Sequence, residues 1–149
     1  MGTMKGGVHQ TVFPFSKGQI KGSGLDGTMV PGSSDVFTFD PATGTGYTDV
    51  RAQFKDETST PKGEADSCIL MRYRGVVKLD EKIQLALSGS SDAKTTKAED
   101  HYCLANVVFE VSAERHKWME QTLFVGQGHG YVPDDGSAAA AEYDVYKMV

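Results

Sequence analysis

Trp118 and Glu120 stand two residues apart in the run RHKWMEQTLFVG, residues 115–126, and this pair carries the most chemical potential in the chain. In an extended backbone they share one face, with Met119 and Leu123 on the other. A carboxyl packed beside an indole loses hydration, its proton affinity rises, and it becomes able to act as a general acid or base. An arginine, Arg51 or Arg72, would then stabilise an enolate or phenolate developing on a substrate. Asp49 shares a strand face with Arg51 and supplies a second carboxylate. The sequence therefore nominates Glu120, Arg51 and Asp49 as catalytic candidates. It nominates Trp118, Arg72, Tyr73, Tyr102, Asn106 and Phe124 as substrate-contacting ones. Each has an ordinary competing reading: an ion-paired strand residue for Glu120, core for Trp118, a solvated sheet face for Asp49 and Arg51.

Other chemistries leave no signature. The histidines 9, 101, 116 and 129 are scattered, with no HExxH pair and no calcium-loop spacing of carboxylates. There is no GxSxG elbow and no phosphate loop, and GQGHG lacks the strand-turn-helix setting that would make it one. Cys68 and Cys103 lack CxxC spacing and read as reduced, buried thiols. No metal and no cofactor are expected. A net charge of -5 without a basic stripe argues against nucleic acid. No apolar run approaches the ~18 residues of a membrane helix, nor is there a signal-peptide core, so no membrane is expected and the reading is cytoplasmic.

The elements that must position these residues are mostly strands. With 149 residues and 17 glycines, the chain reads as one β-rich domain spanning residues 1–149. Val12, Phe13 and Phe15 around Pro14 make an edge strand, and Gln19–Ser23 begins another. Asp26-Gly27 and Pro31-Gly32 predict two turns. Asp35–Phe39 and Tyr47–Phe54 flank DPATGTG as the clearest hairpin. In the return strand Tyr47, Asp49, Arg51 and Gln53 share one face and Val50, Ala52 and Phe54 the other. After an exposed charged loop over residues 55–66, Ser67–Val77 alternates again, with Ile69, Met71 and Tyr73 opposite Leu70, Arg72 and Arg74. Lys78–Leu87 switches to helical spacing, with Gly89 as its stop. His101–Val111 resumes the sheet, AERHK offers one helical turn, residues 126–141 read as a loop, and Glu142–Val149 is a closing strand. Seven or eight strands and one short helix suit a closed or nearly closed antiparallel barrel.

The ordered motifs VPGSSD, TDVR, RYRG, YCLANVVFE, KWMEQTLFVGQG and EYDVY resemble the domain-of-unknown-function 3237 family over roughly residues 9–149. The resemblance implies a single-domain β-barrel of calycin or lipocalin type without a cofactor. It also implies isomerase or cyclase work in secondary metabolism on small aromatic or polyketide-like molecules, with a non-catalytic carrier barrel as the alternative. Against the family pattern, Leu104 and Val108 stand where relatives carry arginine, and Glu120 where asparagine is common. The family's first strand is missing near the start, so a partner strand in a homo-oligomer is expected to supply the pairing.

Overall fold

The computed structural model describes residues 2–3, 7–22, 24–58, 67–135 and 137–149. Ten strands form one antiparallel sheet: β1 (Gly2–Thr3), β2 (His9–Pro14), β3 (Gln19–Gly22), β4 (Leu25–Met29), β5 (Ser34–Asp40), β6 (Thr45–Asp56), β7 (Cys68–Lys78), β8 (Cys103–Val111), β9 (Phe124–Tyr131) and β10 (Ala140–Lys147). Their order is β1-β2-β5-β6-β7-β8-β9-β10, with β3 and β4 branching from the far end of β6. The order ends at β1 on one side and β10 on the other, so the sheet curls without closing. Among the described residues the remaining elements are helix α1 (Glu81–Leu87) and two 3-10 helices, Ala98–Asp100 and Glu114–Gln121.

Local chemistry accounts for the turns. Between β5 and β6 the Asp40 carboxylate accepts from Ala42 N and Thr43 Oγ1, each at 2.9 Å, and Gly44 takes φ +64°. In α1 the Asp80 side chain caps Ile83 N at 2.9 Å, and Gly89 follows at φ +73°. Ile83 and Ala86 face the sheet, while Leu87 is exposed. Asp26-Gly27 corrects a turn reading. Both residues lie inside β4, and the chain turns instead at Gly24, φ +71°. A Cβ at Gly27 would press on the Lys55 carbonyl and Phe54, which is why glycine sits in this strand.

Two larger corrections concern the segment from 114 to 131. Residues 114–121, ERHKWMEQ, are a 3-10 helix, not a strand. They include no β-branched residue, and the strand begins only after Thr122, whose hydroxyl donates to the Trp118 carbonyl at 2.7 Å. The expected loop beginning at Gly126 is strand β9 as far as Tyr131. Its glycines 126, 128 and 130 all point inward, where a Cβ would meet Tyr143, Cys103 and Ala86. Most of the charged loop expected over 55–66 lies outside the described residues.

Strand alternation sorts the sheet into two faces. Val50, Ala52, Phe54, Ile69, Val107, Phe109, Val111 and Phe124 point inward and, with Met119 of the second 3-10 helix, form the core. Arg51, Lys55, Arg72, Arg74 and Lys78 all fall on the alternate, outer positions of β6 and β7. Cys103 is buried as expected, but Cys68 is exposed.

Candidate functional site

The register separates most of the residues nominated from sequence. Arg51 is exposed on the outer face, and Asp49 pairs there with Arg74 at 3.0 Å. Arg72 is paired with Glu110, and Tyr102 and Asn106 are also outward and exposed. Glu120 leaves the strand register altogether. From the 3-10 helix it accepts from Val111 N at 2.8 Å and from Lys117 at 3.0 Å. The Val111 amide first, and then Lys117, hold its carboxyl below its ordinary value. Trp118 is half exposed, packed on Phe124 with ring centroids 5.9 Å apart and with the Lys147 ammonium 5.4 Å above its ring. Only Tyr73 and Phe124 of the nominated set lie on the inner face.

An open cleft of about 440 Å³ does exist on the outer side, between Val36, Tyr47, Asp49, Arg74 and Leu104. Within it Arg74 is paired with Asp49, and Gln10 Nε2 donates to Thr38 Oγ1 at 3.4 Å.

The inner face holds a different constellation. Asp35 of β5, Val50 of β6 and Tyr73 of β7 form one row across the sheet. Asp35 Oδ2 accepts from Thr48 Oγ1 at 2.6 Å and Oδ1 from Asp49 N at 3.0 Å. Tyr143 reaches in from β10, its ring 4.9 Å from that of Tyr73, and the Cys103 thiol donates to its hydroxyl at 3.5 Å. The Tyr143 ring can come this close because Gly126 and Gly128 leave a low floor beneath it. At Gly128 a Cβ would lie under 3 Å from both Cys103 Sγ and Tyr143. Phe37 lies over Gly46 and against Phe13, whose ring is 6.1 Å away, forming an aromatic rim.

Crowding acids on an apolar face raises their proton affinities together. Burial pushes the Asp35 carboxyl above its ordinary value, outweighing the hydrogen bonds from Thr48 and Asp49 N, and the neighbouring Asp49 carboxylate adds to the rise. Burial, then the Asp35 and Cys103 charges, push the Tyr73 phenol well up. Burial, with Tyr73 and Cys103 beside it, does the same to Tyr143. The Cys103 thiol is raised by burial as well. At neutral pH these phenols and this thiol stay protonated.

Two further buried polar centres hold the fold. Asp56, with a fully buried side chain, accepts from Ser67 Oγ at 2.6 Å, Thr58 N at 2.9 Å and Arg115, with His116 Nε2 at 3.0 Å. Burial works against its ionisation, but the hydrogen bonds from Ser67, Thr58 and Arg115 outweigh it and hold the carboxyl far below its ordinary value. At the opposite end of β6, Asp80 joins the α1 cap to His101 Nδ1 at 2.6 Å. Among the described residues no three His, Cys, Asp or Glu converge in a group able to hold a metal ion, and no helix is long and apolar enough to cross a membrane.

Asp35, Thr48, Cys103 and Tyr143 were not singled out from the sequence. The available signal was parity: Asp35 alternates with Phe37 and Phe39, and GQGHG sets glycine at every second position of a strand, which marks a face that something else overlies.

The fold and this site define an antiparallel, β-barrel-like domain with an acid-lined inner face. The chain belongs to the family described as Protein of unknown function (DUF3237), whose model matches residues 1–148. Solved structures with the same fold include a protein of unknown function from Clostridium acetobutylicum ATCC 824, with 18% identity and TM-score 0.68, covering 94% of this chain and 80% of that one. A beta-barrel like protein from Acinetobacter baumannii AYE gives 19% and 0.62, covering 93% and 77%. A conserved protein of unknown function from Rhodopseudomonas palustris gives 18% and 0.72, covering 97% and 89%. At these identities the likeness is one of fold. No curated protein matches the chain.

Proposed function

We propose that this protein is a cofactor-independent isomerase or cyclase that acts by general acid-base catalysis on an aromatic or polyketide-like small molecule, held on the inner face of a calycin- or lipocalin-like barrel. The observation that carries the reading is the convergence of the half-buried Asp35 carboxyl, raised in proton affinity, with two partly buried phenols, Tyr73 and Tyr143. A carboxyl shifted upward exchanges protons nearer neutrality, and phenols that stay protonated are donors to a carbonyl oxygen as it gains charge. Asp35 removes the proton beside a substrate carbonyl and returns it at a second carbon, while Tyr73 and Tyr143 hold the enolate oxygen. Thr48 and Asp49 N fix the carboxyl in place.

The test is incubation of the purified protein with a panel of enolisable aromatic and polyketide-like ketones, followed by liquid chromatography and mass spectrometry. A product of unchanged mass and altered retention is expected. Asp35→Asn should then lower turnover by about a hundredfold or more while leaving affinity within a few-fold. Binding with every compound recovered unaltered would identify a carrier barrel in its place.

A further inference from the structure

The inner site is sorted by charge as well as by polarity. Every lysine and arginine of β5–β8 sits at an outward position: Arg51, Lys55, Arg72, Arg74 and Lys78. The inward positions of these strands carry Asp35, Thr48, Tyr73 and Cys103 among apolar and small residues, with Asp56 at the far end of β6 already paired to Arg115, and Tyr143 arrives from β10. A carboxylate or phosphate bound there would lie among acids with no counter-charge from these strands, at a cost that a half-buried surface magnifies. An ammonium fares little better. Both Asp35 oxygens already accept hydrogen bonds, from Thr48 Oγ1 and Asp49 N, and burial raises the carboxyl's proton affinity. What the site offers is a chain of hydroxyls: the Cys103 thiol donates to Tyr143, Tyr143 is hydrogen-bonded to Tyr73, and the two rings pack against one another on an otherwise apolar face.

We infer that the inner site selects an uncharged ketone or quinone-type carbonyl compound with an apolar ring system, its oxygen bound by Tyr73 and Tyr143, and rejects the corresponding carboxylate and ammonium. This rests on the reading of the inner face as the ligand site. It goes further in fixing the ligand's charge and in assigning specificity to the two phenols.

Calorimetric titration of the full chain at neutral pH with three probes of similar shape tests it: alpha-tetralone, naphthoate and aminotetralin. Alpha-tetralone should bind about tenfold or more tightly than either charged probe, a difference set by one unpaired charge at a half-buried site. Tyr73→Phe and Tyr143→Phe, which keep the rings and the packing, should each weaken alpha-tetralone several-fold. Arg74→Ala, in the outer cleft, should leave it unchanged. Naphthoate or aminotetralin binding as well as the ketone would overturn the charge inference and leave the inner ligand site standing. Binding lost with Arg74→Ala but kept in both tyrosine variants, or no binding of any probe, would overturn both.

Discussion

Asp56 and Asp35 are carboxyls on the same face of one sheet, and their surroundings move them in opposite directions. Asp56 is held ionised by Ser67, Thr58 and Arg115, so its contribution to stability is complete above its ordinary unfolded value and is lost as pH falls below it. Asp56→Asn should cost about 3 kcal/mol at neutral pH, because Arg115 and His116 lose a buried partner. It should also flatten the acid limb of a urea-unfolding series run from neutral pH down to about pH 3. Asp35 has the opposite sign. Its folded proton affinity is raised, so its contribution is present at low pH and is lost as pH rises through the folded value. Asp35→Asn should therefore gain stability relative to the unsubstituted protein as pH is raised toward neutrality, as read by urea unfolding across pH. At this scale the split of β7 was legible, since alternation sets Ile69, Met71 and Tyr73 opposite Leu70, Arg72 and Arg74, as in the sheet. Glu120 was not, because placing it beside Trp118 on one face required an extended backbone that the 3-10 helix removes.

At the scale of elements, a segment was legible where turn chemistry and alternation agreed and illegible where glycine erased the pattern. The β5–β6 hairpin announces itself through DPATGTG, and α1 through Asp80 and Gly89. Strand β9 is hidden because after Phe124 its inward positions, 126, 128 and 130, are all glycine, whose side chains contribute nothing to a hydrophobic period. Gly128→Val puts methyl groups where Cys103 and the Tyr143 ring lie, so it should destabilise by about 2 kcal/mol or more and abolish ligand binding, as read by thermal unfolding and by titration. Asp80→Ala removes the α1 cap and the His101 contact together, and should lower stability by about 1 kcal/mol or somewhat more in a urea titration.

Over the whole molecule, the run from β5 to β10 pairs each strand with the next in sequence, and this nearest-neighbour order is what short strands divided by turns imply. The branching of β3 and β4 onto the far end of β6 had no local signal, since it depends on which half of a long strand is left unpaired by β5. Protection should follow the same map. In native-state hydrogen exchange β7, paired along its length with both β6 and β8, should exchange slowest, and β1 and β10, each bonded on one side only, fastest. A uniform exchange profile would contradict the open order of strands.

The outward placement of every lysine and arginine on β6 and β7 bears also on how the chain finds this structure. A slip of one residue in either strand would bury Arg51 in place of Val50, or Arg72 and Arg74 in place of Met71 and Tyr73. Such a misaligned pairing carries unpaired guanidinium groups in the core as well as stranded apolar side chains, so it is removed from the accessible alternatives twice over. The central hairpin thus has one usable alignment, and each strand added to it inherits that alignment.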